Sequence, residues 1–310
     1  DYDTLSVLTH PAAKAVLTMR DAKSRQDFYN GFVYYADGLH RIHPNLDPSG
    51  TATGRFSSSQ PNFQNLTNEE EDTKEGYLIR RAIVPRHEGN VLVSIDYSQQ
   101  EYRLMLDYAG EMDLIDAIMG GADVHQATAD MMGVSRREAK TLNFMLLYGG
   151  GAQKLADALK IELSAAKELK SLYFSRLPRV RRFIELATET ARQRGYVFNW
   201  LGRRLQCPDK GLAYKAPNAL IQGGGADIMK VAINKVCKYL DDNKVNGLFP
   251  VLTVHDELVL EGHRLVAAKH VGEIKSIMEK AYPHKNIPMA CSVAWSAKSL
   301  AEPDMQVGAL

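Results

Sequence analysis

Residues 91–103 read Val-Leu-Val-Ser-Ile-Asp-Tyr-Ser-Gln-Gln-Glu-Tyr-Arg, an apolar run that stops at Asp96. Far downstream, residues 251–260 read Val-Leu-Thr-Val-His-Asp-Glu-Leu-Val-Leu, two apolar runs around an acidic turn. Short β-branched and apolar runs bounded by polar residues are strand signals. One strand therefore delivers Asp96 at its end, and the other delivers Asp256 with Glu257. Carboxylates brought together suit a pair of Mg²⁺ ions, which take oxygen ligands and share them with substrate phosphates. Two such ions roughly 3.5–4 Å apart can activate an attacking oxygen and stabilise a leaving one. Taken singly, each acidic site also reads as structure: Asp96 as the cap of a following helix, Asp256 and Glu257 as a polar turn.

Between the two sites lies a well-signalled helix. Ser135-Arg136-Arg137-Glu138 fits a capping box, and the run from Ala139 to Tyr148 stops at Gly149-Gly150-Gly151. Arg136, Lys140, Phe144 and Tyr148 stand four apart and share one face, two cations followed by two rings. Fixed cations suit a polyphosphate and a flat ring suits a base or sugar. The same spacing also describes an amphipathic helix with core aromatics and solvated cations.

Five segments together carry a resemblance. Asp96-Tyr-Ser-Gln-Gln-Glu-Tyr-Arg103 resembles the first catalytic motif of family A DNA polymerases, the group that includes bacterial DNA polymerase I and many phage replicases. Arg136 to Gly149 is similar to the nucleotide-binding fingers helix of that family, and Val254-His-Asp-Glu257 to its third motif. Thr51-Ala-Thr-Gly-Arg-Phe-Ser-Ser-Ser-Gln-Pro-Asn-Phe-Gln-Asn65 resembles its primer-side segment. Asn218-Ala-Leu-Ile-Gln222, followed by Gly-Gly-Gly-Ala-Asp227, resembles its template-side helix. Five motifs in the family's order make the match specific.

The resemblance implies roles. Asp96 and Asp256 would hold two Mg²⁺ ions, with Mn²⁺ a possible substitute, and Glu257 would be an auxiliary catalytic carboxylate. Arg136 and Lys140 would grip the β- and γ-phosphates of an incoming dNTP, with Lys140 also placed to protonate the departing pyrophosphate. Phe144 and Tyr148 would lie beside the sugar and the nascent pair, and Gln99 and His125 would also contact the nucleotide. Glu101, bonded to Tyr148, would fill the space of a ribose 2′-hydroxyl. Arg55, Asn62 and Gln64 would touch the primer side of primer–template DNA, Asn218 and Gln222 the template side, and His255 the primer terminus. Minor-groove acceptors occupy similar positions in every correct pair, so Arg, Asn and Gln can sense pairing without reading sequence. The chain departs from the family pattern at Met145 (usually Gly), Gln100 (usually Ile or Leu) and Tyr214 (Arg in bacterial members, with Lys215 nearby). The connection from His125 to Arg136 is short, as in trimmed fingers.

The implied fold is α+β: a right-hand polymerase with an antiparallel palm sheet, packed helices and an inserted helical fingers domain. The boundaries expected are 1–107 for the N-terminal part of the palm with a thumb remnant, 108–206 for the fingers, and 207–310 for the rest of the palm. Gly195–Arg204 reads as a hairpin, Cys291–Ser296 as the last palm strand and residues 301–310 as a loose tail. A sequence of 310 residues, 45% hydrophobic and 24% charged, has the composition of a soluble globular protein. The net charge of +1 hides an uneven distribution: residues 136–215 carry 17 Lys and Arg against 7 Asp and Glu. Beside a nucleotide helix that excess reads as a phosphate-facing wall. The acidic run Glu69–Asp72 reads as a solvated loop turned away from DNA.

Cys207, Cys237 and Cys291 lack metal-ligand spacing, so free thiols in a reducing compartment are expected. No apolar stretch approaches 18 residues and no signal peptide opens the chain, so the expectation is an intracellular, cytoplasmic protein of a bacterial or phage-infected cell, without membrane contact. Asp1 in place of Met reads as a trimmed or processed start. Only about 50 residues precede the Thr51 motif, and no apolar strand presents their carboxylates as Val91–Ile95 presents Asp96. An exonuclease domain and most of a thumb are thus expected to be missing, or supplied by a second chain. A single-subunit RNA polymerase shares a related helix, but Glu101 and the Thr51–Asn65 segment argue against it. A non-catalytic nucleic-acid-binding relic is at odds with the presence of Asp96, Asp256, Lys140 and Arg136.

Overall fold

A computed structural model of the chain describes residues 5, 8–66, 79–283, 285–301 and 305–306. Glu69–Asp72 and Asp1 lie outside the described residues. After the long helix α1 (Pro11–Tyr35), strands β1 (Asn45–Asp47) and β2 (Ser57–Ser59) form a small antiparallel pair. The main sheet is built from β3 (Asn90–Tyr97), β6 (Leu248–Val254), β7 (Glu257–His263), β8 (Cys291–Ser296) and β9 (Met305–Gln306). Its order is β6-β7-β3-β8-β9, antiparallel throughout.

β3 is central and reads as one continuous apolar run because both of its faces are covered. Val91, Val93, Ile95 and Tyr97 pack against α9 (Ala216–Asp242) and α10 (Arg264–Glu279) through Ile228, Met229, Ile274 and Met278. Leu92 packs on the other face with Phe32 of α1, Phe63, Leu66, Ile79 and Val259. A strand buried on two sides loses the alternation of a half-exposed one. The buried Tyr97 hydroxyl donates to the Met278 carbonyl at 2.6 Å, which satisfies its polar tip.

Between β3 and α9 run seven helices: α2 (Gln100–Ala109), α3 (Met112–Met119), α4 (Val124–Met132), α5 (Arg136–Leu147), α6 (Ala152–Leu159), α7 (Leu163–Arg176) and α8 (Pro178–Arg194). They surround a second core that includes Leu106, Leu114, Ile115, Leu142, Leu146, Tyr173 and Leu177. The capping box forms: Ser135 Oγ accepts from the Glu138 amide, and Glu138 Oε2 accepts from the Ser135 amide at 2.8 Å. The hairpin β4 (Tyr196–Phe198) and β5 (Arg204–Gln206) follows. The overall class is the expected α+β one, an antiparallel sheet with packed helices.

Helix α9 continues through Gly223, Gly224 and Gly225 although each glycine costs about 1 kcal/mol of helix propensity. Close approach explains two of them. A Cβ on Gly223 would lie 2.9 Å from the Thr53 carbonyl oxygen, and one on Gly224 2.5 Å from Leu104 Cδ2 of α2. The expected loose tail departs from that reading at Met305 and Gln306, which pair with Trp295 and Ala294 as an edge strand; residues 302–304 and 307–310 lie outside the described residues. The cysteines are free thiols. Among the described residues no helix is long and apolar enough to cross a membrane.

Candidate active site

Asp96 stands at the end of β3, paired in register with Glu257 on one side and Ser292 on the other. β6 and β7 join through a two-residue turn, His255-Asp256, in which His255 takes a left-handed conformation (φ 52°). The Tyr97 amide donates to the Asp256 carbonyl at 3.2 Å, tying that turn to the end of β3. The two strand ends thus bring Asp96 and Asp256 together. Asp96 does not cap the next helix: the cap position of α2 is Gln99, left-handed at φ 54° and without a side-chain cap bond.

Both carboxyls are pushed above the usual carboxylate range. For Asp96 burial is the main cause, followed by repulsion from Asp256 and Glu257, with Arg80 opposing. For Asp256 burial again leads, while its own backbone hydrogen bond and Arg55 lower it and Glu101 and Glu257 raise it. Two crowded oxygen donors whose charge is disfavoured fit a hard divalent cation, which would relieve that repulsion. Among the described residues no three His, Cys, Asp or Glu side chains form a closed metal cluster.

Glu257, the expected auxiliary carboxylate, is held in a buried pair. Its carboxylate is held by Arg80, with Nη2 to Oε2 at 2.9 Å and Nη1 to Oε1 at 3.3 Å, and it accepts from Ser94 Oγ at 2.6 Å. The side chains of this pair are only 8% and 9% exposed. Glu257 is thereby engaged in a buried ion pair while still lying close enough to Asp96 and Asp256 to raise both. Nothing in the local sequence signals Arg80: it follows no motif and meets Glu257 only through the fold.

On α5 the cations and rings share a face as expected, and the Phe144 and Tyr148 rings stack at 6.4 Å. The Tyr148 hydroxyl donates to Glu101 Oε2 at 2.6 Å, so the expected bond between Glu101 and the helix end is formed. Arg136 is not open: it makes a two-pronged contact with Asp123, at 2.9 and 3.0 Å, and that contact holds the Asp123 carboxyl down to about 2. Lys140 is half-buried on the same face. His125 lies on α4, 3% exposed, with its ring 5.6 Å from that of Phe144. Asn143, unremarked in the sequence, reaches His125 Nδ1 at 3.1 Å.

The expected DNA-side residues divide. Arg55 is ion-paired with Glu101 rather than turned outward. Gln64 is buried and both ends of its amide are used: Nε2 donates to the Thr253 carbonyl at 2.7 Å and Oε1 accepts from the His255 amide at 3.2 Å. Gln64 thus braces the turn that carries Asp256. Asn62 is exposed and caps a short 3₁₀ turn, accepting from the Gln64 amide. His255 is exposed at the turn. Asn218 and Gln222 lie one turn apart on α9, both half-buried. The Asn218 Oδ1 is a buried acceptor with no partner among the described residues.

Comparison with known proteins accords with this layout. The sequence pattern of DNA polymerase family A matches residues 1–301. DNA polymerase I, thermostable, of Thermus aquaticus is 37% identical over 296 residues, covering 88% of this chain and 34% of the relative. DNA polymerase I of Streptococcus pneumoniae is 35% identical over 296 residues, with 87% and 33% covered. The POL domain of Pol1 from M. smegmatis, solved in complex with DNA primer-template and dNTP, superposes with a TM-score of 0.90 at 32% identity, covering 98% of this chain and 57% of that one. The chain spans about a third of the length of these curated relatives. With the motifs in order, the strand ends converging and the fold matched along nearly its whole length, this chain belongs to DNA polymerase family A.

Proposed function

We propose that the chain carries out template-directed DNA synthesis, adding dNTPs to a primer 3′-end with release of pyrophosphate. The observation that carries this reading is the meeting of Asp96 and Asp256, both raised by burial and by neighbouring carboxylates, near a helix face bearing Arg136, Lys140, Phe144 and Tyr148. In the reaction the primer 3′-oxygen forms a bond to the α-phosphorus, and the bond from that phosphorus to the pyrophosphate oxygen breaks. Asp96 and Asp256 would hold two Mg²⁺ ions, or Mn²⁺ in their place, and bound ions supply a lowered pKa for the attacking hydroxyl and charge neutralisation on the leaving group. Arg136, released from Asp123, and Lys140 would neutralise the triphosphate, and Lys140 would give a proton to the departing pyrophosphate. Glu101, held by Tyr148 and Arg55, would crowd a ribose 2′-hydroxyl.

The two bodies of the fold would act as palm and fingers, with primer–template DNA lying against the 51–65 segment and the Asn218–Gln222 face of α9. The unsatisfied Asn218 Oδ1 supports that placement, since a buried orphan acceptor costs about 1–3 kcal/mol unless a ligand satisfies it. The bacterial relatives support a bacterial or phage-infected cytoplasm as the setting. Primer extension by the purified chain with four dNTPs and Mg²⁺ tests the reading: templated products are expected, and none at any Mg²⁺ or Mn²⁺ concentration would reject it.

A further inference from the structure

A buried polar network at the junction of α2, α4, α5 and α7 has no part in the reading above. Asn143, Thr128, Tyr102 and Tyr173 are all essentially excluded from solvent. One assignment satisfies every contact with Thr128 bonded back to its own helix; the Tyr102 hydroxyl also lies 3.4 Å from Thr128 Oγ1 and 3.3 Å from the Tyr173 hydroxyl. Thr128 Oγ1 donates its one proton to the Val124 carbonyl at 3.0 Å. It must therefore accept from the Asn143 amide group 3.0 Å away, which makes that group the nitrogen, Nδ2. The amide oxygen then faces the other way, where it accepts from the hydroxyls of Tyr102 (2.9 Å) and Tyr173 (3.1 Å). The second Nδ2 proton points to His125 Nδ1 at 3.1 Å, so Nδ1 must be a lone-pair acceptor.

We infer that Asn143 is a positioning residue that holds His125 as the neutral tautomer with its proton on Nε2. A proton on Nδ1 would set donor against donor inside a site with no water to relieve it, which disfavours that form by at least about ten to one. The same clash opposes the imidazolium. Other charges act on the ring: Asp123 at the start of α4, and Arg136 and Lys140 on α5. Burial lowers the His125 pKa, Asp123 opposes that, and the two cations add to it. From α2 the ring meets Tyr102, its ring 6.3 Å away, and Tyr173 of α7 bears on it through Asn143; burial raises the pKa of both tyrosines. Nε2 makes no hydrogen bond among the described residues.

The consequence rests on the reading that His125 faces the triphosphate. There His125 serves as a fixed, uncharged N–H donor to a phosphate oxygen, and Arg136 and Lys140 carry the positive charge. A neutral donor adds a directed hydrogen bond without a third cation in a crowded site, and its strength does not vary through neutral pH.

The test is nitrogen NMR on chain labelled with ¹⁵N-histidine near pH 7.5. His125 is expected to show an unprotonated Nδ1 and a protonated Nε2. Asn143→Asp offers an acceptor to Nδ1–H, so the His125 pKa should rise by about 1–3 units. Thr128→Val keeps the shape but removes the acceptor that orients the amide, so the Nδ1–H form should become populated. The KM for dNTP should then rise about tenfold with kcat within about threefold. If Asn143→Asp does not fold, the wild-type tautomer and Thr128→Val decide the matter. A protonated Nδ1 in the wild type, or a tautomer unmoved by Thr128→Val, overturns the inference. Adding dNTP with Mg²⁺ should shift the Nε2–H resonance; a correct tautomer with no such shift supports the lock but refutes the triphosphate-facing reading of His125.

Discussion

Arg80→Met isolates what the buried ion pair does. In the wild type, Glu257 is held by both Arg80 nitrogens and by Ser94, beside Asp96. Methionine keeps most of the arginine stem's bulk and removes the charge, leaving Glu257 buried in a three-carboxylate cluster. Removing one partner of a buried pair costs about 3–5 kcal/mol. With an unfolding entropy of about 2.1 cal/mol/K per residue over 310 residues, that corresponds to a fall in Tm of about 5–8 °C. Arg80→Met with Glu257→Met should recover most of the loss, since an apolar pair of similar volume removes both buried charges. Arg80 also opposes the upward push on Asp96, so Mg²⁺ should stabilise Arg80→Met more than wild type. Thermal melts of the four-member cycle, with and without Mg²⁺, read both effects. A loss below about 1 kcal/mol for Arg80→Met, or no recovery in the double variant, would show that the pair is not what neutralises Glu257.

Asp96→Asn and Asp256→Asn should each abolish primer extension while leaving primer–template affinity within about threefold, because DNA is held chiefly through phosphate contacts elsewhere; filter binding beside extension assays checks this, and normal turnover in either variant removes the metal assignment. Glu101→Ala should admit ribonucleotides and slow dNTP incorporation modestly, since it frees both Tyr148 and Arg55; unchanged discrimination in single-nucleotide assays would mean that Glu101 is not the gate. The folded forms of Asp96 and Asp256 bind protons that the unfolded chain releases near 3.8, so metal-free stability should fall as pH rises from that value through the raised folded values. Added Mg²⁺ should restore stability at the upper end of that window and have little effect at its lower end. Melts at pH 5 and pH 8 that show equal Mg²⁺ effects would contradict it.

The parts of the site that were legible in the sequence depend on local signals. A run that stops at a carboxylate marks Asp96, and a box of Ser135 and Glu138 with a glycine stop marks α5 to within a residue. What stayed hidden depends on long-range pairing between residues without a local signature. Arg80 is 177 residues from Glu257, and Gln64 is 189 from the Thr253 carbonyl it holds. Arg55 and Glu101 were each assigned a separate role, and only the fold brings them into one ion pair. Asn143 carries no local signal, because a polar residue inside an amphipathic helix reads as solvated until three neighbouring helices close over it. Residues 305–306 gave no strand signal, and their pairing comes from the free edge of β8.

The glycines of α9 act as a shim of zero thickness. At Gly223 the helix rests on the backbone at Thr53, and at Gly224 on Leu104 of α2, the helix that starts three residues beyond β3. One surface of α9 is thus seated against both the 51–65 segment and the element rooted at Asp96, and Asn218 and Gln222 lie within two turns of that seat. A methyl group inserted there would lift the template face away from the carboxylates by a fraction of a van der Waals diameter. Misplacement of about 1 Å can cost 10²-fold in a reaction that depends on alignment. The spacing between the face proposed to sense pairing and the atoms proposed to do chemistry is therefore set by close contact at Gly223 and Gly224.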